Sequence, residues 1–90
     1  MNKKELAMLA RTSSVFGDEV SLLMDRFSRF VEEMKEKEEM KLDSLPESLE
    51  GSPLWSSIED AIEMFEEIQV ALEEMDSSLD SILETMGTTA

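Results

Sequence analysis

The chain has 90 residues, 22 acidic and 8 basic side chains, a net charge of −14, and no cysteine, histidine or tyrosine. Ninety residues form one small domain. Without cysteine or histidine, a disulfide framework, thiolate chemistry and the commonest general base and metal ligand are excluded. The negative charge repels phosphates and argues against direct binding of nucleic acid.

The charge is distributed unevenly along the chain. All eight basic residues precede position 42, where they nearly balance nine acidic residues. The stretch from Asp43 to Ala90 contains 13 acidic residues and no lysine or arginine. The second half therefore repels itself unless a cationic neighbour or salt offsets its charge.

The first half predicts one long amphipathic helix at about residues 2–42. Its apolar residues alternate between spacings of three and four, with Ser13 filling the one gap, which is the heptad form of helical periodicity. Asn2 and Glu5 form a capping pair at its start. The apolar positions are Leu6, Leu9, Phe16, Val20, Leu23, Phe27, Phe30 and Met34.

Residues 12–17 are the weak part of this helix, because they include three hydroxyl side chains and a glycine. Either the helix runs through them with a soft spot, or a short first helix ends near Arg11 and a second starts near Asp18. The heptad phase continues across the segment and favours the continuous helix.

A turn is predicted at about residues 43–52, where Pro46 and Gly51 interrupt the pattern. One helical turn at Pro46 to Leu49 is compatible with it. Ser52 and Pro53 then suit the N-cap and first residue of the next helix. Ser56, followed three residues later by Glu59, is a later capping candidate.

The second half predicts another helix at about residues 53–86, with Gly87 in a left-handed conformation at its end. Nine successive heptad positions are apolar, and acidic residues occupy most of the outward positions. The apolar positions are Ile58, Ala61, Phe65, Ile68, Leu72, Met75, Leu79, Ile82 and Met86.

Two helices of similar length with a short connection predict an all-α fold, an antiparallel helical hairpin forming a single domain over residues 1–90. Apolar residues beside the heptad positions make the stripe wider than one partner helix covers. We therefore expect a four-helix bundle, formed as a homodimer or with a helical protein partner. The predicted core is Phe16, Leu23, Phe27, Phe30, Phe65, Ile68, Leu72 and Leu79. The predicted intermolecular surface is Trp55, Ile62, Met64 and Leu83.

Catalysis fits this sequence poorly. Carboxylate pairs one helical turn apart exist, but di-iron bundles need Glu-x-x-His and the chain has no histidine. We expect no enzyme activity, cofactor or metal. The acidic face can instead bind a basic protein, as an inhibitor or nucleic-acid mimic of phage or mobile-element type does. Its candidate residues are Glu59, Glu66, Glu73 and Asp80.

Two short motifs resemble known families. Trp55 near the turn of a cysteine-free hairpin is similar to the tryptophan of the WXG100 proteins of type VII secretion, with Ser57 at that family's glycine. This likeness implies an exported hairpin, or a heterodimer with a second small helical protein. The stretch 58–67 resembles part of the small subunit of exodeoxyribonuclease VII, another acidic helical hairpin, with Ile68 at that family's glycine.

The expected function is that of a non-enzymatic protein–protein interaction or self-association module. The alternatives are the acidic inhibitor and the WXG100-like secretion hairpin. The apolar run at residues 6–10 is too short for a signal peptide, and no run approaches the ~20 residues of a membrane span. We therefore expect a cytoplasmic protein that does not enter a membrane.

Overall fold

The computed structural model describes residues 1–89 and contains two long helices joined by a short connection. The first helix, α1, spans Lys3–Ser44, and the second, α2, spans Pro53–Thr89. A 3-10 turn at Glu47–Leu49 lies between them. The helices pack against each other, and no strand occurs in residues 1–89, so the prediction of an all-α helical hairpin is confirmed.

The start of α1 is capped as predicted. The side-chain oxygen of Asn2 accepts a hydrogen bond from the backbone N–H of Glu5 at 2.8 Å, and the Asn2 amide donates to the Glu5 carboxylate at 3.0 Å. The helix continues through residues 12–17 without a break, which confirms the continuous helix. The Ser13 hydroxyl donates to the carbonyl of Leu9 at 2.6 Å, so this polar group has a partner within the helix.

The connection also follows its sequence signals. Gly51 has a φ of +76°, a left-handed conformation that glycine adopts without steric cost. The Ser52 hydroxyl accepts a hydrogen bond from the backbone N–H of Trp55 at 3.2 Å, and Pro53 is the first residue of α2. Ser52 is therefore the N-cap, and the later candidate Ser56 lies inside the helix.

The end predicted for α2 is wrong. The helix does not stop at residue 86 but continues through Gly87 to Thr89. Within residues 1–89, Gly51 is the one glycine with a positive φ. Glycine permits a left-handed cap but does not require one. Inside a helix it is less favourable than alanine by only about 1 kcal/mol.

The contacts between the helices divide into two compact units. Unit 1 joins Met1–Arg26 to the part of α2 that begins at Leu72, and unit 2 comprises Phe27–Ala71. In unit 1, Leu79 and Gly17 are buried. In unit 2, Val31 is 1% exposed and Ile58 is also buried.

The predicted core is correct for one residue of α2 and wrong for α1. Leu79 is buried, whereas Phe65, Ile68 and Leu72 are half-buried. The four α1 residues are exposed: Phe16, Leu23, Phe27 and Phe30.

The reason is that α1 presents a neighbouring row of side chains to α2. Gly17 and Val31 are buried and Met24 is half-buried, and each follows a predicted core residue by one position. Both rows are apolar or small at heptad spacing, so periodicity alone does not distinguish them.

Candidate functional site

Several large apolar side chains of unit 1 remain exposed after the hairpin has formed, and four of them lie on one side of the helix pair. Two belong to α1 and two to α2, and we call them the open face. Their exposed fractions are 48% for Phe16, 63% for Leu23, 54% for Met75 and 51% for Ile82. Exposed apolar groups of this size are typical of interaction surfaces when they lie together.

The packing of unit 1 places these side chains on one side of the helix pair. A Cβ built on Gly17 would lie 2.8 Å from a methyl carbon of Leu83, so these two residues meet at the helix–helix contact. Phe16 immediately precedes Gly17, and Ile82 immediately precedes Leu83. In an antiparallel pair, residues displaced in the same sense from such a contact lie on the same side of both helices.

The other two members of the open face repeat these positions one heptad away. Leu23 follows Phe16 by seven residues, and Met75 precedes Ile82 by seven. Because seven residues are two helical turns, each lies on the same side of its helix as its neighbour. The open face is therefore a continuation of both helices' apolar stripes beside their mutual contact.

A shallow groove of about 280 Å³ lies near the contact between Gly17 and Leu83. The hydroxyl oxygen of Ser13, which also lines it, lies 2.9 Å from the sulfur of Met86. The lining is mainly apolar, and the Ser13 hydroxyl donates its one proton to the carbonyl of Leu9. The groove therefore offers mainly apolar surface to a ligand, and the Ser13 hydroxyl has no free proton to donate to it.

Unit 2 has exposed apolar side chains of its own. The rings of Phe27 and Phe30 stack on each other with centroids 6.5 Å apart and planes inclined by 24°, and both rings are about half exposed. Leu54, Met64 and Val70 of α2 are exposed as well. Stacking within one helix protects part of each ring from water and leaves the remainder available for contact.

The four residues predicted for the intermolecular surface differ in their surroundings. Met64 is exposed, and Trp55 and Ile62 are half-buried. Leu83 is half-buried, and its methyl groups lie over Gly17 inside the hairpin. The glycine in the weak segment of α1 was the signal for this contact, since a residue without a side chain lets a large one approach closely.

The four acidic residues predicted as a binding face are all exposed. Glu59, Glu66, Glu73 and Asp80 follow one another at intervals of seven along α2, so they lie on one side of this helix. Across the described part of the chain, no group of three or more acidic side chains is placed to hold a metal ion. Their arrangement is a row of separate charges.

Polar contacts in unit 2 connect the two helices through one glutamine. Lys35 donates to the side-chain oxygen of Gln69 at 3.5 Å, and the amide nitrogen of Gln69 donates to the carboxylate of Glu32. Two lysine–carboxylate pairs, Lys35 with Glu39 at 3.8 Å and Lys41 with Glu38 at 2.8 Å, are local to α1. These lysines thus have carboxylate partners on their own helix.

Comparison with known proteins gives no family for this chain: no family model, curated protein or solved structure matches it. Separately, neither α1 nor α2 has a stretch apolar enough to cross a lipid bilayer within the described residues.

Proposed function

We propose that this protein is a non-enzymatic interaction module that associates through the open face of its hairpin, with a second copy or with a helical partner. The observation that carries the proposal is the exposure of Phe16, Leu23, Met75 and Ile82 beside a completed helix–helix contact. Water contact with four such side chains is unfavourable by about 25 cal/mol per Å² of apolar surface, and a docked helix would remove it.

The total accessible surface supports the same proposal. The chain exposes 6,873 Å², whereas a compact monomer of its mass, 10.2 kDa, exposes about 5,300 Å². The excess of about 1,600 Å² exceeds the roughly 800 Å² that each partner buries in an interface of standard size. A bound partner would therefore cover apolar surface that the hairpin alone leaves exposed.

A second candidate function rests on the acidic row of α2. Glu59, Glu66, Glu73 and Asp80 are exposed at regular intervals on a half of the chain that carries 13 acidic residues and no basic one. Such a row suits an inhibitor or nucleic-acid mimic that binds a basic protein. Binding of this kind weakens steeply with added salt, whereas apolar association does not.

One capture experiment tests both candidates. The tagged chain is incubated with a nuclease-treated extract of the organism that encodes it, and separately with the untagged chain, at 50 mM and 500 mM NaCl. An open-face variant carries Leu23→Gln and Ile82→Gln. An acidic-row variant carries Glu59→Gln, Glu66→Gln, Glu73→Gln and Asp80→Asn.

We expect the open-face variant to lose bound protein at both salt concentrations and the acidic-row variant to retain it. A basic partner would instead be supported if the acidic-row variant captured less protein, if the wild type captured less at 500 mM NaCl, and if the open-face variant captured as much as the wild type. If both variants capture as much as the wild type, the proposed interaction through either surface is wrong. Circular dichroism checks that both variants remain helical.

A further inference from the structure

The open face is bordered on α1 by one acidic and one basic side chain, which can pair with the same two residues of a second copy. On α1, Glu19 follows Phe16 by three residues and Arg26 follows Leu23 by three, so both side chains border the same row. Both are exposed, and within residues 1–89 neither has an ion-pair partner. One acid and one base, seven residues apart, thus border the same apolar stripe.

On α2, the side chains that border the open face carry no charge. Ser78 follows Met75 by three residues, and Thr85 follows Ile82 by three. The Thr85 hydroxyl donates to the carbonyl of Ser81 at 2.8 Å and is satisfied inside its own helix. This edge can therefore be covered without burying a charge or leaving that hydroxyl unpaired.

From this arrangement we propose that the open face of unit 1 binds a second copy of the chain, with the two α1 helices antiparallel about a twofold axis near residue 22. The inference rests on the proposed function, and it names the partner. In such a contact Val20 of each copy faces Leu23 of the other. Glu19 of each copy then meets Arg26 of the other, so the symmetry forms the same ion pair twice.

The distribution of charge favours this arrangement over the alternatives. The chain before position 42 has eight basic and nine acidic residues, so two α1 helices approach with little net repulsion. In a parallel α1–α1 contact the row that contains Glu19 and Arg26 lies on opposite edges of the two helices, so these residues would not meet and neither ion pair would form.

The area is also sufficient. The surface exposed beyond that of a compact monomer is about 1,600 Å² over the whole chain, which is more than the roughly 800 Å² that each chain buries in an interface of standard size. A second hairpin supplies two more helices, and the assembly would be the four-helix bundle that the width of the apolar stripe indicates.

The test is a charge-exchange series in sedimentation equilibrium at 50 mM NaCl, over about 1–200 µM chain. Glu19→Arg alone and Arg26→Glu alone each place like charges opposite one another at two equivalent positions. We expect each to raise the dimer Kd about tenfold, since exposed ion pairs are individually weak and two of them change from attractive to repulsive. The double variant restores both pairs and should return the Kd to near the wild-type value.

An equimolar mixture of the two single variants makes the sharpest measurement. One chain then carries two bases and the other two acids, so the mixed dimer regains both ion pairs and should form at the expense of either single-variant dimer. Arg11→Glu is the matched control, because it makes the same charge change on an exposed residue of unit 1 away from the open face. Its Kd should equal that of the wild type.

Two results would overturn the inference. The first is a wild-type chain that stays monomeric throughout the concentration range. The second is a dimer whose Kd is unchanged by either single variant. In either case, an extract protein that binds the wild type and not the Leu23→Gln, Ile82→Gln variant would leave the proposed interaction function standing with a different partner.

Discussion

Gly17 is the residue on which the packing of unit 1 depends most directly. An alanine Cβ at this position would lie 2.8 Å and 3.1 Å from the two methyl carbons of Leu83. Alanine is favoured over glycine inside a helix by about 1 kcal/mol, but here it displaces a side chain at the helix–helix contact. Glycine at this position therefore lowers the helix propensity of α1 but allows Leu83 to approach closely.

We expect Gly17→Ala to give little or no stabilisation in the wild-type chain, and about 1 kcal/mol in a Leu83→Ala background, where the obstructing methyl groups are gone. Urea unfolding followed by circular dichroism measures this difference as the coupling in a double-mutant cycle. Gly87→Ala is the matched control, because nothing lies within 4 Å of its added Cβ. Equal effects of Gly17→Ala in both backgrounds would mean that Leu83 does not constrain residue 17.

Single-residue features were predicted well where their cause is local. The Asn2–Glu5 cap and the Ser52 cap each involve residues three positions apart, so the sequence contains both partners. Gly87 is the exception. Glycine adopts a left-handed or a helical conformation about equally readily, so the sequence does not indicate which one is adopted.

At the scale of the helix, α1 shows how two apolar rows on one element divide their roles. Val31 is 1% exposed, whereas its neighbour Phe30 and the exposed Val15 are not covered by α2. The larger and more hydrophobic row lies outside the intramolecular contact. This is the arrangement expected of a helix that has a second surface to pack against.

Val31→Thr tests which row faces α2. The substitution keeps the shape of the side chain and puts a hydroxyl into a fully buried position, so we expect a loss of about 1–3 kcal/mol in the free energy of unfolding. Val15→Thr makes the same change on the same helix at 52% exposure and should alter stability by less than about 0.5 kcal/mol. Chemical denaturation gives both values. A larger effect at residue 15 than at residue 31 would contradict the packing described above.

The two helices and the turn were predictable because heptad spacing, proline and glycine act within a few residues. Which of the two heptad rows of α1 faces α2 was not predictable from the sequence. Phe16, Leu23 and Phe30 form a good heptad row, and so do Gly17, Met24 and Val31 once the partner helix is known. The sequence therefore predicts the two α1 residues of the open face, Phe16 and Leu23, as core residues. Only the position of α2 distinguishes a core residue from a candidate binding residue.

Over the whole molecule, the uneven charge has a consequence for stability. The second half carries 13 acidic residues without a basic one, and the acidic residues named above on α2 are exposed. Their mutual repulsion opposes folding and is reduced when salt shortens the Debye length from about 30 Å at 0.01 M to about 3 Å at 1 M.

We therefore expect the melting temperature to rise between 20 mM and 500 mM NaCl. A gain of about 1 kcal/mol corresponds to about 4–8 °C for a domain of this size, and scanning calorimetry measures it. The variant with Glu59→Gln, Glu66→Gln, Glu73→Gln and Asp80→Asn should show a smaller increase because four of the repelling charges are absent. A wild-type melting temperature that falls with salt would mean that attractive ion pairs outweigh the repulsion.

The separation in sequence between contacting residues differs between the two units. Lys35 and Gln69 in unit 2 are 34 positions apart, whereas Ser13 and Met86 in unit 1 are 73 apart. Closing the longer loop costs about 0.6 kcal/mol more in chain entropy, so we expect unit 1 to open before unit 2 in local fluctuations. The open face belongs to this unit, and a second copy bound there would also suppress its opening. Dimer formation should therefore slow the hydrogen exchange of backbone amides in unit 1, and the protection should increase with chain concentration.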